Sequence, residues 1–200
     1  MKREVMELWR VCFDDTEEFI QFYFDKKYKE ENALVYWDEQ GAAIAALQTP
    51  LYPMTFGVMR GRKIPVSTLI PASEWLYDYY GKMGYATVFD YTLEHYTILD
   101  KPVADHFRVE AIREVGLLTD DLFNYFQSMM RLRPCCVQHE REDFEVIVES
   151  LRMDGGALIV VYSDKNIVGM AFAEPRGNHA LVLDGMYDSE DVKRVALWGV

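Results

Sequence analysis

Residues 67 to 90, STLIPASEWLYDYYGKMGYATVFD, impose a strand, helix, strand order on the middle of this chain. Ser67 to Ile70 is a short apolar run with β-branched members, and Pro71 to Ser73 interrupts it. Ser73 is placed to cap a helix with Glu74 in its first turn. Trp75, Leu76, Tyr79 and Tyr80 recur at helical spacing on one side. Gly84 suits the helix end, and Ala86 to Phe89 resumes strand character. The fold class expected from this order of elements is α/β, with an α+β mixed sheet.

The chain on either side carries its own signals. Val5, Met6, Leu8, Trp9 and Cys12 form the apolar face of a first helix. Asp14-Asp15-Thr16 breaks and re-caps the chain before a second helix bearing Phe19, Ile20, Phe22, Tyr23 and Phe24. Ala33 to Trp37 and Ala42 to Leu47 read as strands around an acidic turn, and Met54 to Val66 as a third strand and hairpin with Arg60-Gly61-Arg62 at its tip. Ala86 to Tyr91 and Glu94 to Leu99 read as two more strands. Farther on, Thr119 or Asp120 caps a helix over 121–131, and Cys135-Cys136-Val137 is a short strand or loop. His139 to Met153 is amphipathic. Ala157 to Tyr162 and Ile167 to Ala173 flank a turn, Ala180 to Leu183 is a further strand, and Ser189 caps a last helix to Trp198. The segments 33–50 and 157–175 share a plan of leading Ala-Leu, acidic turn, small apolar strand and closing proline. Each follows an aromatic-rich helix, so the chain reads as two copies of one fold.

Composition bounds the function. Half of the 200 residues are hydrophobic, which supplies ample core and argues against disorder. A net charge of -12 excludes a nucleic-acid surface and an anionic membrane as partners, and suits a cationic substrate. Cys12, Cys135 and Cys136 make no disulfide framework, and no Cys-x-x-Cys or His-rich spacing supports a metal site. His95, His106, His139 and His179 are scattered and receive no role. Met1 to Arg10 is charged and amphipathic, so no signal peptide is expected, and no apolar run approaches the ~20 residues that span a bilayer; a cytoplasmic location is expected.

The run Tyr80-Gly81-Lys82-Met83-Gly84-Tyr85 resembles the Tyr-x-x-x-Gly-[Phe/Tyr] signature of GNAT acetyltransferases. Most of the chain is similar to the tandem-GNAT, enhanced-intracellular-survival branch of that family. The resemblance implies two GNAT-like (acyl-CoA N-acyltransferase) halves in tandem, residues 1–107 catalytic and residues 108–200 degenerate. It implies acetyl-CoA as cosubstrate, a primary amine (small amine or lysine side chain) as acceptor, and assembly into multimers. Members of the branch usually carry a further, sterol-carrier-like domain beyond the position of Val200. Family members also place a strand, a Gly-rich pyrophosphate loop and a long helix ahead of the Tyr80 unit. Here Ile64-Pro65-Val66 runs straight into Ser67-Thr68-Leu69. A sheet lacking that unit exposes apolar edges, so an omitted segment of ~30 residues is expected between Val66 and Ser67.

By the same resemblance Tyr80 is the catalytic general acid, and Ser73 with Glu74 binds the coenzyme. The departing thiol has a pKa of about 8.5 and leaves poorly at neutral pH unless it is protonated as it goes. A neutral phenol with a pKa of about 10 supplies that proton. Tyr80 is expected near a helix N-terminal turn, where an anion is favoured. Tyr77 and Tyr79 are rivals if the helix turn is one residue longer, but only Tyr80 has the matching spacing to Gly84-Tyr85; the rivals read as packing aromatics. Trp37, Glu39 and Phe24 are candidate liners of the acceptor cleft. The general base has no assignment.

Overall fold

In the computed structural model the residues described are 1–48, 54–55, 73–88, 93–97, 106–134 and 136–200. They form an α+β protein with antiparallel sheets. The chain divides into one unit of Met1–Phe56 with Pro102–Val200 and a second of Gly57–Lys101. The junction of Val66 with Ser67, most of the hairpin expected over 54–66, and Cys135 lie outside the described residues.

The first unit opens with α1 (Lys2–Cys12) and α2 (Glu17–Lys26). Thr16 begins α2 by accepting from the Phe19 N–H, with Glu17 and Glu18 in the first turn at the positive end of the helix dipole. Val5 and Met6 of α1 bury against Ile20 and Phe24 of α2. Phe24 is therefore a core residue, not a cleft liner. The hairpin β1 (Ala33–Trp37) and β2 (Ala43–Gln48) follows, its turn held by Asp38, whose carboxylate accepts from the Gln40 and Ala42 N–H groups. Trp37 and Glu39 sit at the exposed end of that hairpin, so neither lines an enclosed cleft. A two-residue strand β3 (Met54–Thr55) pairs with β5 (Cys136–Val137).

The larger sheet has the order β4 (Phe107–Ile112), β6 (Ala157–Ser163), β7 (Asn166–Arg176), β8 (His179–Tyr187), antiparallel throughout. Its side chains sort by the two-residue period of a strand. Leu158, Val160, Met170 and Phe172 face α4 (Asp120–Leu132) and α5 (Arg141–Met153). Ile159, Val161, Ala171 and Ala173 face α6 (Glu190–Trp198). The continuous apolar run of β6 is thus the run of a strand covered on both faces. Gly169 lets α6 lie close, since a Cβ there would stand 2.4 Å from Cγ1 of Val192. Thr119 and Ser189 cap α4 and α6 as their positions in the sequence require.

Three expectations need correction. Strand β8 runs on to Tyr187, past Asp184-Gly185, a dipeptide of turn type. Arg133 holds that stretch in the ladder with paired bonds to both Asp184 carboxylate oxygens (2.8 and 2.9 Å) and one to the Gly185 carbonyl (3.0 Å). Helix α5 begins at Arg141, two residues later than expected, because Glu140 and Asp143 close a capping box there. Residues 86–88 and 94–97 form no strand. Their β-preference describes a fit to a half-buried pleated surface, and Val88 and Leu93 are exposed with no ladder partner among the described residues.

Candidate functional site

The second unit holds the residues that the family likeness singles out. Helix α3 spans Trp75–Lys82. It starts one residue later than expected: Glu74, in helical conformation, is its N-cap, and no side chain caps it. Ser73 contributes only its carbonyl, which accepts from the Leu76 N–H at 3.1 Å. Ser73 and Glu74 are both exposed.

Tyr80 stands in the last turn of α3, not near an N-terminal turn, so the helix dipole there disfavours an anion. Its carbonyl accepts from the Tyr85 N–H at 3.1 Å, while the Gly81 carbonyl accepts from the Gly84 N–H at 3.1 Å. Gly84 has φ +92°. Together these are the two reverse bonds and the left-handed residue of a Schellman helix end, and the Tyr80 and Tyr85 rings, 5.8 Å apart, supply its customary apolar contact. The spacing Tyr80-x-x-x-Gly84-Tyr85 therefore has a complete local cause in helix termination. Glu74 and Tyr80 lie about 9 Å apart along the axis and about 120° around it. One coenzyme meets both only if it runs along the helix. Tyr79 packs edge-on between Trp75 and Tyr80. Tyr77 is exposed.

The first unit contains a cavity of about 400 Å³ between α2, α4, α5 and β8. Helix α2 carries aromatic residues on two faces. Ile20 and Phe24 go to α1, with Tyr23 packed on Trp9 beside them, while half-buried Phe19 and Phe22 turn toward α5; Phe19, Phe22 and Tyr23 line the cavity. A helix apolar on both faces needs cover on both, and α5 provides the second. Phe172 closes the inner end. A bulge in β8 leaves Leu183 unpaired, because Phe172 faces Asp184 while Ala173 faces Val182. Leu183 and Asp184 thereby reach the cavity mouth.

Charged groups at the mouth are mostly matched. Lys27 at the end of α2 pairs with Asp143 on α5. Burial pushes the Asp143 carboxyl up, but bonds from Lys27 and the Glu140 N–H and the Lys27 charge outweigh it, holding the group below its usual range. Burial lowers the His139 imidazole, Asp143 and Asp184 oppose that, and nearby Lys27 adds to it; the net direction is down. Both groups bind protons more readily in the unfolded chain, so acid costs stability. The loss attached to His139 begins as pH falls through about 6.5 and is complete below its folded value; that of Asp143 follows below about 3.9. Urea-denaturation free energy is therefore expected to fall between about pH 7 and about pH 5, and His139→Gln to flatten that interval. An unchanged slope in the variant would refute the assignment.

No group of histidine, cysteine and acidic residues able to hold a metal ion occurs among the described residues. None of their helices is long and apolar enough to cross a membrane. The aromatic second face of α2 was the one signal of the cavity in the sequence. Lys27 with Asp143 and Arg133 with Asp184 gave none, being 116 and 51 residues apart. No family model, no curated protein and no solved structure matches this chain significantly.

Proposed function

We propose that the chain is an acetyl-CoA-dependent N-acetyltransferase of GNAT type, with two GNAT-like halves in tandem. Tyr80 protonates the departing thiolate, and Ser73 and Glu74 meet the coenzyme. The observation that carries the reading is a recurrence of order. Helices α1 and α2 lead into the β1–β2 hairpin, and α4 and α5 lead into the β6–β7 hairpin that β8 and α6 extend. The Tyr80 motif on α3 adds the chemistry. Helix α3 leaves the Tyr80 ring partly exposed beside Tyr79 and Tyr85. The acceptor is a primary amine, which the acidic chain attracts as a cation.

The place of Tyr80 in the last turn of α3 favours a second reading, a GNAT-fold module that binds acyl-CoA without turnover. Calorimetric titration of the full chain with acetyl-CoA separates the two. Saturable heat followed by thiol release in the presence of a primary amine is the enzyme's result. Heat without thiol release leaves the module. No heat at all removes both.

A further inference from the structure

We propose that the cavity between α2, α4, α5 and β8 is a binding site for a small aromatic molecule carrying one protonated amine. At about 400 Å³ it lies within the ~300–1,000 Å³ of small-molecule pockets. Its walls are built from separate elements that each commit an apolar group to it: half-buried Phe19 and Phe22 from α2, half-buried Ile147 from α5, and the exposed Leu183 from the bulge of β8. Rings from α2, α4 and β7 together with the branched side chains of Ile147 and Leu183 suit a planar apolar body.

The charges at the mouth select the head group. The Lys27 ammonium is neutralised by Asp143, and the Asp184 carboxylate is held by two N–H groups of Arg133. Burial of His139 keeps its ring in the neutral form at neutral pH. Asp154, at the end of α5, lines the same opening, and no cation among the described residues pairs with it. The uncompensated charge at the mouth is therefore one carboxylate. A net charge of -12 on the chain reinforces its sign, and ring faces such as that of Phe22 add a cation–π attraction. All of its lining residues belong to the first unit.

The test uses one ring in three charge states: naphthylmethylamine, naphthalenemethanol and naphthoate, each titrated into the full chain at neutral pH. The amine is expected to bind best, about threefold tighter than the alcohol, with naphthoate weakest. Asp154→Asn is expected to bring the amine down to the alcohol's affinity. Ser150→Trp fills the cavity and is expected to abolish binding of all three, with thermal unfolding recorded alongside. Leu183→Arg, at a 57% exposed position that tolerates charge, guards against a misfolded Ser150 variant and is expected to weaken the amine about tenfold. The proposal is overturned if no probe binds, if the alcohol or the carboxylate equals the amine, or if a folded Ser150→Trp or Leu183→Arg protein keeps the amine's full affinity.

Discussion

Phe144→Ala is expected to destabilise the first unit by about 3–5 kcal/mol, the largest single-residue effect in the larger core. Phe144 is fully buried in the opening turns of α5. Its ring stacks on Phe126 of α4 at 4.9 Å, meets Phe172 of β7 edge-on at 6.3 Å and lies 5.9 Å from Phe123. One residue therefore joins both helices to the sheet. Truncation removes the transfer energy of the ring, opens a cavity that these rigid neighbours close poorly, and forfeits aromatic pairings of about 0.5–1.5 kcal/mol each. Against a typical total of about 5–15 kcal/mol, the variant approaches unfolding at body temperature. Urea unfolding measures this directly, with Phe144→Leu as a volume-sparing control that loses much less. A Phe144→Ala protein within about 1 kcal/mol of the parent would show that α4 and α5 are not anchored through this ring.

Local chemistry was legible in the sequence wherever its partners were near. Thr16, Thr119 and Ser189 each cap the helix that follows, because an N-cap hydroxyl and the amide it satisfies are only three residues apart. The hairpins at 33–48 and 157–176 followed from short apolar strands flanking turn residues, and the amphipathic character of α5 from helical periodicity. What failed was set by distant contacts. Strand β8 outlasts a turn-type dipeptide because Arg133, from the end of α4, occupies the carboxylate that would otherwise close the turn. Phe24 belongs to the core because α1 supplies its cover. The cap expected of Ser73 does not form: α3 begins after Glu74, itself in helical conformation, and no side chain caps it. The candidate site was legible as a motif but not as a geometry. The spacing from Tyr80 to Tyr85 is also what a Schellman end requires, and only the end of the helix at which Tyr80 lies distinguishes an anion-stabilising position from the opposite one.

Tyr80→Phe is expected to retain acetyl-CoA binding and to lose about 10²–10⁴ in acetyl transfer. The substitution removes one hydroxyl and keeps the ring. The contacts with Tyr79 and Tyr85 persist, and the Schellman bonds, made by backbone atoms, are untouched. A change in turnover is then chemical in origin. Tyr80 gives its proton to the sulfur as the carbon–sulfur bond of the tetrahedral intermediate breaks and negative charge builds on the departing thiolate. A pH series separates this role from mere positioning. Below the thiol's pKa of about 8.5 the departing sulfur needs the proton, and the variant's deficit is greatest; above it the thiolate leaves unaided and the ratio of parent to variant rates shrinks. A positioning role leaves that ratio independent of pH. Tyr77→Phe and Tyr79→Phe, on the same helix, are expected to leave turnover unchanged. Full activity in Tyr80→Phe, or a deficit equally deep at alkaline pH, would transfer the proton to another donor and leave the motif with its helix-ending role alone.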